Sequence, residues 1–149
     1  MAIGIASSEL SKRWPIDSYI KLIEYLYNKN FKKILVVSGI DQKNDEEKIR
    51  NFFSGKSIDF VFTSDKKISE VMTYILKSKL YIGNDTGFAH LFINCSVKSY
   101  IIYGSCVPQY YSHLMNHIDQ DSNTKRSETS IYSTTIEKVI QSIEKELVF

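Results

Sequence analysis

Two polar stretches carry residue types suited to an anionic ligand. The first is Gly83-Asn84-Asp85-Thr86-Gly87-Phe88-Ala89-His90, set between the apolar runs Leu80-Tyr81-Ile82 and Leu91-Phe92-Ile93. It reads as a buried strand, a tight turn and a helix start. Asp85 or Thr86 can cap that helix by accepting from its free amides. Gly87 lets the backbone approach a ligand closely. The amides of Thr86, Gly87 and Phe88 lie at the positive end of the helix dipole, where a phosphate is a natural guest. Thr86 and His90 are four residues apart and share a helix face. His90 reads equally as a donor to a phosphate or leaving-group oxygen and as a half-buried structural histidine. Asp85 reads first as a cap that orients the amides without touching the anion.

The second stretch is Ser7-Ser8-Glu9-Leu10-Ser11-Lys12-Arg13-Trp14-Pro15. Lys12 can place a point charge against a diphosphate, and Ser7 and Ser8 add hydroxyl and backbone donors. On spacing alone, Lys12-Arg13 reads equally as a solvated loop pair. Trp14-Pro15 reads as an aromatic wedge and a helix start.

The elements that must position these stretches alternate in type. Ala2–Ala6 reads as a strand. A helix follows Pro15, with apolar residues at Tyr19, Ile20, Ile23, Leu26 and Tyr27. Ile34–Val37 is a β-branched-rich run typical of a strand buried on both faces. A weaker helix spans about 45–53, and a strand Ile58–Phe62. Ile68, Val71, Met72, Ile75 and Leu76 form an amphipathic stripe. Leu80–Ile82 and Ser99–Tyr103 supply two more strands. Residues 105–130 show little periodicity and read as a loop with one short helix near 109–115. Thr134-Thr135-Ile136-Glu137 reads as a capping box opening the last helix. This alternation predicts an α/β fold, a three-layer α/β/α domain over residues 1–149 with a mainly parallel, doubly wound sheet. With strand one beside strand four, a crevice opens between their carboxyl ends. The two chemically loaded loops then meet there.

Several other chemistries lack their signatures. After the first strand there is no G-x-G-x-x-G, so a nicotinamide cofactor is disfavoured. Neither a P-loop nor a G-x-S-x-G elbow appears. His113 and His117 have helical ligand spacing without the glutamate of a zinc protease, and read as surface histidines. Asp119-Gln120-Asp121 is an acid-x-acid pattern with no buried strand expected before it, and reads as a solvated loop. The net charge of +2 comes from interleaved acids and bases, without a basic stripe, which argues against nucleic acid as a partner. No apolar run is long enough to span a bilayer. Cys95 and Cys106 offer neither a disulfide framework nor metal-ligand spacing, and read as free thiols of a reducing cytoplasm.

Ala6-Ser7-Ser8 with Lys12-Arg13-Trp14-Pro15, followed by Gly83-Asn84-Asp85-Thr86-Gly87 and His90, resembles the carboxyl-terminal half of the ADP-heptose:lipopolysaccharide heptosyltransferases, glycosyltransferase family 9. Tyr103-Gly104-Ser105 with Pro108, and the final helix, fit the same resemblance. It implies a GT-B enzyme whose carboxyl-terminal Rossmann-like domain holds the nucleotide sugar, in lipopolysaccharide core assembly. Ser7, Ser8 and Lys12 would contact the diphosphate, Thr86 and Gly87 would present amides to it, and Asp85 and His90 would complete the site. Lys12 and Asp85 would be the catalytic pair. No metal or other cofactor is implied. Fixed positive charge and amides would stabilise the departing diphosphate. A ribose-binding acid would come from Asp41, Asp45 or Glu46.

The implied partners are an ADP-heptose-like donor and a lipopolysaccharide or lipid-linked sugar acceptor. The acceptor would be held by an amino-terminal domain absent from this chain, which also supplies the general base. On this reading the chain alone does not turn over. The implied location is cytoplasmic, with at most peripheral contact at the inner face of the bacterial inner membrane. Phe88 and Phe92 stand where the family carries smaller residues, which implies a reshaped pocket. The alternatives are a non-catalytic α/β nucleotide-binding or interaction module, and half of another GT-B enzyme.

Overall fold

The computed structural model describes residues 1–120 and 125–147. Its strands are β1 (Ala2–Gly4), β2 (Lys33–Val37), β3 (Asp59–Phe62), β4 (Leu80–Asn84), β5 (Lys98–Ile102) and β6 (Met115–Ile118). Its helices are α1 (Ile16–Asn28), α2 (Lys43–Phe52), α3 (Ile68–Ile75), α4 (Gly87–Asn94) and α5 (Ile136–Ile143). The sheet order is β3-β2-β1-β4-β5-β6 and every pairing is parallel. The chain thus winds outward from β1 in one direction and from β4 in the other. The switch point falls between β1 and β4, as the pattern of elements predicts.

Alternation along the strands divides the core. Ile3, Ile34, Val36, Ile82, Tyr100, Ile102 and Ile118 point to one face, under α1, α2 and α5. Ala2, Leu35, Val37, Tyr81, Ile101 and Met115 point to the other, under α3 and α4. Side chains alternate across a strand with a period of two, so a run such as Ile34–Val37 feeds both layers.

Three sequence expectations change. The acyclic stretch after β5 holds a sixth strand, β6, rather than a short helix near 109–115. The 3.6-residue pattern is weak there, whereas the edge of β5 offers a full ladder of partners from Ser99 to Ile102. The last helix takes Thr135 as its N-cap, whose hydroxyl accepts from the Lys138 amide at 3.3 Å. Thr134 is instead buried, and its carbonyl accepts from Trp14 Nε1 at 2.7 Å. Finally, β1 stops at Gly4, because the amides of Ile5 and Ala6 both turn to the Val37 carbonyl.

The crevice is closed beneath by glycines and locked by one amide. Gly4 and Gly83 are paired in register. A Cβ on Gly4 would lie 1.9 Å from the Tyr81 hydroxyl, and one on Gly83 would lie 2.6 Å from the Gly4 carbonyl oxygen. Only glycine at both positions leaves room for the Tyr81 ring, which packs on Phe92 with centroids 4.5 Å apart. One residue on, Asn84 is fully buried. Its Oδ1 accepts from the Trp14 amide at 3.0 Å and lies 2.9 Å from the Tyr19 hydroxyl. Its Nδ2 donates to the carbonyls of Ile5 and Ala6 at 3.2 and 3.3 Å. Asn84→Ala leaves these buried partners unmet, at an expected cost of about 3 kcal/mol. Urea denaturation should show that loss as a lower midpoint with an unchanged slope.

Candidate functional site

At the carboxyl ends of β1, β2 and β4 lies a cleft of about 440 Å³. Ser7, Ser8, Lys12, Asp85, Thr86 and Gly87 all line it. The sequence separates these residues by more than seventy positions, and the Asn84 amide brings them together. The 3₁₀ turn Leu10–Lys12 projects Lys12 over the crevice, and Arg13 Nη2 anchors the turn by donating to the Ser7 carbonyl at 2.6 Å.

Neither expected cap is made. Thr86 occupies the N-cap position of α4 in extended conformation, but its side chain accepts no backbone hydrogen bond. The first backbone bond of the helix is that of the His90 amide to the Thr86 carbonyl, at 3.4 Å. Among the described residues no acceptor meets the amides of Thr86, Gly87 and Phe88, so the positive end of the helix faces the cleft open. A Cβ built on Gly87 has nothing within 4 Å. The free space there belongs to the cleft and not to packing.

Asp85 pairs with a lysine and a histidine and not with the helix amides. Its Oδ2 lies 4.0 Å from Lys12 Nζ and its Oδ1 lies 3.5 Å from His90 Nε2. Lys12 is shared with Glu9, whose Oε1 is 3.2 Å away. Burial pushes the Lys12 ammonium down in pKa, and the bond to Glu9, aided by Cys106, Glu9 and Asp85 charge, more than reverses this, leaving it raised. Ser7 sets Glu9 in place: its hydroxyl donates to the Glu9 carbonyl at 2.8 Å and accepts the Glu9 amide at 3.3 Å. The Ser7 hydroxyl is thus taken up in the turn, while Ser8 is exposed.

His90 is not a free donor. Its Nδ1 lies 2.5 Å from the Tyr111 hydroxyl. The arrangement that satisfies both ring nitrogens has the Tyr111 hydroxyl donating to Nδ1 and Nε2–H donating to Asp85. The result is a chain of four side chains, Lys12, Asp85, His90 and Tyr111. Tyr111 is raised in pKa, first by burial and then by the Asp85 carboxylate. Glu9, Asn84 and Tyr111 were not singled out by sequence reasoning. Asn84 had one signal, a polar residue directly prolonging an apolar strand. Tyr111 had none, because it lies in an aperiodic loop 21 residues from His90.

The three acids considered for a ribose separate cleanly. Asp41 lines the cleft. Asp45 lies in a different depression, with Trp14 and Tyr132, and pairs with Lys48 at 3.8 Å. Glu46 is buried, accepts from the Ser38 hydroxyl and lies 3.3 Å from the Ser64 amide. It fastens α2 to the ends of β2 and β3.

Other expectations are corrected. Phe88 lines the cleft, but Phe92 is fully buried against Tyr81 and shapes the core. His113 is exposed, whereas His117 sits in β6 with its ring nitrogens shielded from solvent. Tyr103 meets its ring edge-on at 4.8 Å and Tyr110 lies 3.7 Å away. Asp119 directly follows β6 and pairs with Arg126, so it is not a solvated loop acid. Asp121 lies outside the described residues. No group of three His, Cys, Asp or Glu side chains among the described residues is arranged to hold a metal ion. No helix among them is long and apolar enough to cross a membrane.

The sequence profile of glycosyltransferase family 9 (heptosyltransferase) matches residues 1–140. The chain belongs to glycosyltransferase family 9. No curated protein sequence matches it. Solved structures with the same fold include Escherichia coli ADP-heptose lps heptosyltransferase II, with a TM-score of 0.82 and 16% identity over 98% of this chain and 45% of that one. E. coli heptosyltransferase WaaC with ADP-2-deoxy-2-fluoro heptose gives 0.70 and 20% over 97% and 42%. A family 9 glycosyl transferase from Veillonella parvula gives 0.74 and 18% over 98% and 45%. The chain therefore spans less than half the length of these family members.

The burial of His117 has a testable consequence. Desolvation lowers its pKa from the ordinary 6.5, against smaller opposing effects of the Gln109 backbone and of Asp119 and Asp85. The unfolded chain therefore takes up this proton first as pH falls. The stability held above pH 6.5 is lost as pH drops towards the folded-state value. Urea denaturation at pH 7.5 and 5.5 should show a smaller pH-dependent loss in His117→Phe than in the natural chain.

Proposed function

We propose that this chain is the donor-binding half of an inverting glycosyltransferase, and that its cleft holds a nucleotide-diphospho-sugar of the ADP-heptose type. The observation that carries this reading is the uncapped start of α4 facing Lys12 across the β1–β4 crevice. Open amides at a helix start and a lysine opposite them suit the two phosphates of one ligand. Ser8 adds a donor on the same rim, and Ser7 acts through the turn that it holds. Asp41, on the β2 side, is the acid for the ribose.

The chemistry follows from the charges. An acceptor hydroxyl attacks the anomeric carbon, the bond from that carbon to the diphosphate oxygen breaks, and the nucleoside diphosphate leaves with the electron pair. Negative charge grows on the departing oxygen. Lys12 and the amides of Thr86 and Gly87 are preorganised where it grows, which lowers the barrier without reorganisation. Asp85, tethered by His90, holds Lys12 towards the crevice. The acceptor's proton goes to a base on the acceptor side, in the amino-terminal half that the longer family members carry. A lipopolysaccharide acceptor and a cytoplasmic site of action belong to the same proposal.

Calorimetric titration with ADP, UDP, CDP and GDP checks this. At least one diphosphate should bind; a folded sample that binds none refutes the donor reading. Lys12→Ala should weaken that diphosphate by roughly tenfold, in line with a charge-assisted hydrogen bond, and leave the free nucleoside nearly unchanged. Equal weakening of both would remove Lys12 from the phosphate site.

A further inference from the structure

The cleft has two unlike flanks. The β2 flank carries Gly39–Gln42, with Asp41. Towards β5, beyond Asp85, runs the segment 104–111. Tyr110 and Tyr111 stand open on it, 77% and 53% exposed. Neither ring lines the cleft itself, but Tyr111 reaches it through His90, which pairs with the cleft residue Asp85. Both are held. Tyr111 is tied to His90 at 2.5 Å, with ring centroids 5.6 Å apart. Tyr110 lies on His117, which Tyr103 supports edge-on. The root of the segment is pinned by Arg126, whose Nη1 donates to the carbonyls of Gly104 and Cys106 at 3.0 and 2.6 Å.

We propose that Tyr110 and Tyr111 form the subsite for the glycosyl ring of the nucleotide sugar. This rests on the donor reading above and extends it to residues that reading does not use. A diphosphate at α4 with its nucleoside towards Asp41 has its sugar on the opposite side, where Asp85, His90 and Tyr111 follow one another. The face of an aromatic ring is negative, and the C–H groups on one side of a pyranose are positive, so the two stack. The sugar hydroxyls project sideways, towards Asp85 and the tyrosine hydroxyls. Because His90 and His117 already fix the two rings, little side-chain freedom is lost on binding.

The test compares ADP with ADP-heptose by calorimetry in the natural chain, Tyr110→Ala/Tyr111→Ala and Tyr111→Phe. The natural chain should prefer ADP-heptose over ADP. The double variant should reduce that ratio roughly two- to tenfold, the range of an aromatic contact. Tyr111→Phe keeps the ring and should keep most of the ratio. No preference in the natural chain, or the same preference in the double variant, overturns the subsite while leaving nucleotide binding intact. If neither nucleotide binds, the donor reading fails and free heptose at millimolar concentration decides the subsite. Saturation transfer from tyrosine ring protons to heptose, lost in the double variant, supports it; no transfer overturns it.

Discussion

A single buried carboxamide sets the geometry on which everything else depends. Asn84 ends β4 inside the core, where an unpaired amide would cost free energy. It has partners only because the chain after β1 and the entry to α1 bend towards it. Ile5 and Ala6 supply two carbonyls, Trp14 an amide and Tyr19 a hydroxyl. The loop bearing Lys12 is thereby fastened at both ends to the strand that leads into Asp85 and α4. Trp14 extends the same fastening to α5 through the Thr134 carbonyl. The loop is thus ordered by the fold itself.

Charge in the cleft is arranged in series. Glu9, Lys12, Asp85 and His90 alternate in character, and Tyr111 closes the row. Lys12, Asp85 and His90 each have a neighbour on both sides, while Glu9 and Tyr111 end the row towards solvent. The helix start remains the one feature in this row with no partner among the described residues. That contrast, between side chains that are all engaged and amides that are all open, sets this helix start apart from an ordinary capped one.

The fold was largely legible because its evidence is local. Ile34–Val37 has the β-branched run typical of a doubly buried strand, and the stripe from Ile68 to Leu76 has the spacing of an amphipathic helix. β6 was not legible, since Met-Asn-His-Ile has no strand pattern of its own and is shaped by the open edge of β5. The two site loops were readable from residue type and family resemblance, but their internal wiring was not. Asp85 looked like a cap because aspartate before a helix usually is one. Lys12, 73 positions away in sequence, and the His90 ring engage it instead. Tyr111 met His90 through an aperiodic loop, and no spacing rule reaches across such a segment. Among Asp41, Asp45 and Glu46, only the register of α2 against the sheet could decide which faces the crevice.

The pairing of Lys12 with Glu9 changes what it means for an anion to arrive. The ammonium is not a bare charge waiting in a hollow, because a carboxylate of the same chain already sits 3.2 Å from it. On the donor reading, an incoming phosphate oxygen would share Lys12 with Glu9, because an ammonium carries three N–H donors and Asp85 stands farther off at 4.0 Å. The Glu9 carboxylate, 58% exposed, has solvent at hand if it gives way. On that reading a phosphate and two carboxylates would contend for one cation, so the more highly charged visitor would gain most by entering.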